Sequence, residues 1–264
     1  MKHPVSTIVA LILAATAHAQ TYITSDITTS TTWSVAGSPY VIQADVDITD
    51  DCVLTIEAGV TVAFDGVYIL ETSYDCAIVA EGDPGNPILF TSNAPSPAPG
   101  DWKWIQVHGT VDSSFMHCVF EYGEYGLRPN NASPTISYCT MRHTSSSGIF
   151  IAGASPTITH CDIHHCRDGI GVSNDSSGTT VNFCNIHDTT HWFVYVMGSD
   201  VLAATIDMEN NWWGTDDPLV IANEINDAVD HPESITLTID FDPWAGSVAS
   251  ERLSWSGVKA IYGD

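Results

Sequence analysis

The sequence predicts an all-β chain wound as a parallel β-helix, a β-solenoid, with a short C-terminal cap. Three observations predict it. The first is a repeat anchored on cysteine. "FMHCVFEYGEYGL", "PTISYCTMRHTSSSGIFI", "PTITHCDIHHCRDGIGV" and "TTVNFCNIHDTTHWFVYV" place Cys118, Cys139, Cys161 and Cys184 at intervals of 21, 22 and 23 residues. The second lies within each unit. A β-branched run of the form T-[IV]-x-x-C is followed by a polar turn and a second apolar run, and Gly, Ser, Asn and Pro separate the runs. The third is that helical periodicity is nearly absent beyond the first 19 residues. A period just over 20 residues with these features is one coil of a solenoid, about three short strands long. Leucine-rich repeats share the period but need recurring leucines, which are sparse here.

The elements follow in order. Residues 1–19 read as a signal peptide. Lys2 and His3 give a positive start, "VSTIVALILAATA" is apolar, and "AHA" before Gln20 suits cleavage. That run is short for a bilayer span, and no later stretch is long and apolar enough. The expectation is an exported protein: secreted, periplasmic or on the cell surface. Residues 20–245 form the solenoid. Its early coils, "YVIQADVDITDDCVLTIEAGVTVAFDG", "YILETSYDCAIVAEG", "PILFTSN" and "WKWIQVHG", alternate apolar and polar residues. "NAPSPAPGDW" is a Pro-rich loop projecting between them. A fifth repeat unit, "ATIDMENNWWG", puts Ile206 beside Ile158 and Val181, with Glu209 replacing the cysteine. From about residue 212 the chain caps the open end of the stack. "DPLVIANEINDAVD" spaces Leu219, Ile221, Ile225 and Val229 as a short amphipathic helix, and "ITLTIDFDPW" alternates as a strand. Residues 246–264 are a tail.

Charge sets limits. Seven Lys and Arg face 32 Asp and Glu, for a formal charge of −25. Such a chain repels nucleic acid and anionic membranes, and binds polyanionic sugars poorly unless a cation bridges. No dense Asp/Gly calcium loop is present. Seven cysteines in an exported chain leave at least one unpaired within it.

"SPYVIQADVDITDDCVLTIEAGVTVAF", "PILFTSN", the coil units and "NNWWGTDDP…INDAVD…IDFDPW" resemble bacterial exported right-handed parallel β-helix repeat proteins. The resemblance covers residues 32 to 245, and "NWWG-x-x-DP" followed by "DFDPW" is its most specific part. It implies a single-stranded right-handed parallel β-helix. Many such proteins are secreted or surface-bound and have no assigned activity. The function expected is non-catalytic binding or adhesion, with carbohydrate or another cell-surface component as partner.

Four groups of residues are candidates for chemistry. Stacked one rung, about 4.8 Å, apart, Cys118, Cys139, Cys161 and Cys184 form a column that faces the core as soft filler. A straight ladder does not converge on a metal. The polar turn is the second group. Alignment on the cysteines sets His165 beside His143 and Asp188, and His164 beside Arg142 and His187. These five positions, His143, His164, His165, His187 and Asp188, are the candidate metal ligands, and the metal is a divalent ion: copper, zinc or calcium. They admit a periplasmic metal-binding β-helix as a further alternative. The third group is a carboxylate and base pair for a polysaccharide lyase or glycosidase acting on acidic polysaccharide. Arg142 and Arg167 lie in the repeat without an evident carboxylate cluster. The "NTD", "GHG", "RIK" and "DPHD" segments of similarly folded enzymes are missing, so no catalytic residue is assigned. Last, Trp102 and Trp104 are candidates for stacking on sugar rings, while Trp212 and Trp213 belong to the cap.

Overall fold

A computed structural model describes residues 20–198, 204–232 and 234–244. The signal segment 1–19 and the tail 246–264 lie outside them. The strands form three parallel sheets of eight, eight and nine strands, each pairing with the strand one coil before and one coil after. Sheet I runs from Thr21–Ile23 to Asn185–His187, and includes Cys118–Glu121, Thr140–Arg142 and Asp162–His164. Sheet II runs from Val46–Ile48 through Ile69–Thr72, Trp104–His108, Leu127–Asn130, Ser147–Ala152, Asp168–Ser173 and Val194–Val196 to Ile225–Asn226. Sheet III runs from Thr31–Trp33 to Leu237–Asp240. A coil takes one strand from III, then I, then II, and the fold is a right-handed parallel β-helix.

In four successive coils the corner between sheets III and I turns on one left-handed residue. His117, Tyr138, His160 and Phe183 occupy it on successive coils with φ of 48°, 54°, 54° and 58°. The left-handed conformation turns the strand without a loop. It also aligns the side chains, so these rings stack at 5.0, 4.8 and 5.6 Å. Each corner residue is followed by a cysteine of the ladder, and Cys118, Cys139, Cys161 and Cys184 are all buried. The thiols donate to carbonyls two residues back, as Cys139 does to Ser137 O at 3.3 Å. Beside them the columns Ile136–Ile158–Val181 and Met141–Ile163–Ile186 fill the interior. Each such side chain contributes about 1.5–3 kcal/mol by leaving water.

The structure corrects the fifth unit. Thr180 pairs with Asp207, so the register lies two residues from the expected one. Asn210 takes the left-handed corner at φ 60°, and Asn211, not Glu209, takes the cysteine's place. The cap is also more irregular than expected. Its helix is only Pro218–Asn223, capped by the Asp217 carboxylate, which accepts from Leu219 N. Ile221 is buried, Ile225 joins sheet II, and Leu219 and Val229 are exposed. Alternation holds for the last strand, where Leu237 and Ile239 are buried.

Candidate functional site

The candidate histidines lie on the outer face of sheet I and its adjoining corner. Arg142, His164 and His187 are register partners on three successive strands. His143, His165 and Asp188 follow them at left-handed positions, with φ of 54°, 52° and 50°. The structure brings these residues together, through ring contacts and two hydrogen-bonded pairs. His187 Nδ1 donates to Asp188 Oδ2 at 2.8 Å and its Nε2 to Asp162 Oδ1 at 3.0 Å. Burial works against the His187 cation, but the two carboxylates outweigh it and raise its pKa. His164 stacks on His187 at 5.3 Å and 10°. Burial pushes the His164 pKa down to about 4, so it is neutral at pH 7. Its Nδ1 shares a proton with His165 Nδ1 at 2.6 Å. Parallel rings aim their in-plane lone pairs side by side rather than at one point. Among the described residues, no three or more His, Cys, Asp or Glu are grouped to hold a metal ion.

Both repeat arginines have a carboxylate partner, which alignment on the cysteines does not reveal. Arg142 pairs with Glu121 from the coil before, at 2.8 Å. Arg167 Nη1 donates to Asp168 Oδ2 at 2.8 Å. The second oxygen of Asp168 accepts His191 Nδ1 at 2.8 Å and Trp192 N at 3.3 Å. Asp168 is only 1% exposed, whereas the His191 side chain is 41% exposed.

The two tryptophans have different fates. Trp102 is fully buried, stacked on Phe64 at 4.4 Å, and its Nε1 donates to Glu121 O. That ring is out of reach of an external sugar. Trp104 is on the outer face of sheet II, where strand alternation sends Trp104, Gln106 and His108 outward together. Lys103 Nζ lies 5.7 Å from its ring centroid, Arg128 Cζ 5.1 Å, and the Tyr125 ring 5.8 Å.

Along this face Asp47, Glu71, Gln106 and Arg128 are register partners on four adjacent strands. Phe150 lies next, its ring 5.6 Å from Arg128 Cζ, then Gly171 and Tyr195. A Cβ on Gly171 would meet Phe150 Cδ2 at 2.5 Å, so only glycine lets that ring lie down there. Arg128 Nη1 donates to Gln106 Oε1, which fixes the amide orientation. Gln106 Nε2 then donates to Glu71 Oε2 and to His108 Nε2, each at 2.6 Å.

Among the described residues four buried side-chain polar atoms have no partner, and three are here: Trp104 Nε1, His108 Nδ1 and Arg128 Nε. Trp104 Nε1 and Arg128 Nε are N–H donors, and all three atoms are closed to solvent. Each such orphan costs about 1–3 kcal/mol, and native proteins hold few of them. Sequence reasoning singled out Trp104 but missed Glu71, Gln106, His108 and Arg128. The alternation in "WIQVH" was the available signal.

The match to known proteins agrees with this architecture. Residues 104–229 match the family model described as a right-handed β-helix region. No curated protein and no solved structure matches the chain. The match is confined to residues 104–229, and the same coils continue on its N-terminal side back to Thr21, so the fold is one right-handed parallel β-helix.

Proposed function

We propose that the protein binds an extended carbohydrate chain along the outer face of sheet II, in an exported setting. One observation carries the reading: a row of rings, Trp104, Tyr125 and Phe150, with centroids 5.8 and 5.0 Å apart, runs over the outer side of sheet II beside Gln106 and Arg128. Sugar hydroxyls meet the polar groups of the half-buried Lys103, Arg128 and His108 side chains. Trp104, Tyr125, Phe150 and Tyr195 supply apolar ring faces beside them, the usual mix of a few polar anchors among aromatic walls. Strands about 4.8 Å apart make such a surface long and repetitive, which suits a polymer better than a compact ligand. Affinity electrophoresis against a panel of soluble polysaccharides tests it. The expected result is retardation by at least one polymer and its loss in Trp104→Ala. No retardation by any polymer would reject the reading.

One specific observation favours a second reading, cleavage of the bound chain. Buried Asp168 holds His191 Nδ1, in the arrangement that leaves Nε2 of a general base free to take a proton. His191 is also near Tyr195 on the same face, with ring centroids 6.4 Å apart. Incubation of the bound polymer with protein should then release shorter products, and His191→Ala should stop it. Unchanged polymer length leaves binding as the function.

A further inference from the structure

The outer face of sheet III takes no part in the surfaces described above. On three successive strands the middle residue, Ile136, Ile158 or Val181, is buried, so the residues on either side of it point outward. Strand register sets them in two columns. Thr135, Thr157 and Thr180 are partners on successive strands, and so are Ser137, Thr159 and Asn182. Ser114 and Met116 extend the columns by one strand. Thr135 and Thr157 are exposed, and the other four are half-buried. The hydroxyls of Thr135, Ser137, Thr157, Thr159 and Thr180 bond to no protein group among the described residues, so the fold makes no use of them. Charge is also missing. Residues 132–138, 154–160 and 178–183 contain no Asp, Glu, Lys or Arg, in a chain with 32 acidic residues.

We propose that this face binds ice, through a flat lattice of hydroxyls and methyls centred on Thr157. Two periods define the lattice. Rungs repeat about every 4.8 Å, and alternate residues along a strand about every 6.6 Å. Both are close to the spacings of the oxygen rows on the prism faces of ice. The branched Cβ of threonine restricts χ1, so successive hydroxyls hold their orientation with little entropy left to lose on binding. Buried Ile136, Ile158 and Val181 pin the strands from beneath. A charged partner gains nothing here, because the face offers it no counter-charge. A second copy gains too little. Three rungs by five residues cover roughly 240 Å², well below the roughly 800 Å² that each partner of a stable interface buries. A crystal of water differs from both, since its own repeat meets every rung at once. The face is separate from the carbohydrate-binding face of sheet II, and either can fail without the other.

Partition of the full-length mature protein into ice tests the proposal. A dilute solution is frozen slowly onto a cold finger beside a globular control protein of similar mass, and protein is measured in the ice and in the liquid. The protein should be enriched in the ice while the control stays in the liquid, and it should slow the coarsening of polycrystalline ice. Thr157→Tyr puts a bulky ring in the middle of the lattice and should abolish both effects at an unchanged melting temperature. If that variant melts early, Thr135→Tyr on the adjacent strand should abolish them in its place. Thr140→Tyr, on the outer face of sheet I, should leave both intact. Wild-type protein left in the liquid overturns ice binding, as does enrichment that survives in both Thr157→Tyr and Thr135→Tyr. Retention on microcrystalline chitin or cellulose that these variants abolish, without enrichment in ice, assigns the lattice to a solid polysaccharide and also overturns ice binding. Retardation by soluble polysaccharide should be the same in the two variants as in wild type, which keeps the tests of the two faces apart.

Discussion

Asn211 stands one coil beyond Cys184 in the thiol ladder, and its Oδ1 accepts the Cys184 N–H at 2.8 Å. Its Nδ2 donates to Val181 O and Met208 O, both at 2.7 Å. Earlier in the ladder a sulfur fills this place, as where Cys161 N approaches Cys184 Sγ at 3.3 Å. The amide ends the column by tying three backbone groups together where the regular repeat stops. Asn211→Ala strands a buried N–H and two carbonyls, so it should cost about 2–4 kcal/mol in urea unfolding. A loss under 1 kcal/mol would mean that water replaces the amide.

The pH response divides between two stacked histidines. His164 has a folded pKa pushed down by burial to about 4, against an ordinary value of 6.5. Between those values the unfolded chain binds more protons, so stability falls as pH drops from 6.5 towards 4. His187 has a raised pKa. Its contribution is complete below 6.5 and is lost as pH rises through the folded value. His164→Gln should therefore flatten the acid limb of a stability-against-pH curve, by at most about 1.4 kcal/mol per pH unit. His187→Gln should flatten only the limb above 6.5. Identical acid limbs in wild type and His164→Gln would refute this division.

All seven cysteines are buried and unpaired. Burial raises the thiol pKa of Cys139, Cys161 and Cys184, and that of Cys166 to about 11. Thiolates are the reactive form. A thiol reagent at pH 8 should label almost none of them in the native state and all seven in guanidinium, without added reductant. Stability should be the same with and without dithiothreitol, and a drop on reduction would show a disulfide.

Trp102 and Trp104 should separate stability from binding. Trp102→Ala removes a buried ring stacked on Phe64 and should cost about 3–5 kcal/mol. Trp104→Ala removes an outward ring, so its main effect should be on polysaccharide retardation. A Trp104→Ala protein that binds normally would remove the aromatic platform from the account.

Much of the fold is legible in the sequence because a coil is local. The cysteine spacing, the T-[IV]-x-x-C run and the glycines opening the apolar runs all lie within about 20 residues. The inward column and the alignment of His164 with Arg142 and His187 follow from that period alone. The end of the period is not legible, because "TIDMENN" fits two registers and the choice depends on the three bonds of Asn211. Leu219 and Val229 suit a helix face by spacing, but the chain leaves the helix after Asn223 to pair Ile225 with Val194. The face of sheet II is harder still. Glu71, Gln106 and Arg128 come from three coils, and the Pro-rich loop at 93–103 enlarges one of them. No spacing rule brings those residues together, and only strand register does.

The left-handed corners at His117, Tyr138, His160 and Phe183 make each of those coils a module with its own index mark. Lengthening or shortening the chain by a whole repeat keeps every corner in phase, and the protein becomes longer or shorter by one rung without redesign of its interior. An insertion of any other length has nowhere to go but outward, as residues 94–99 do. A family built this way can change the reach of its surface by duplication, and its local chemistry by substitution, as two independent routes.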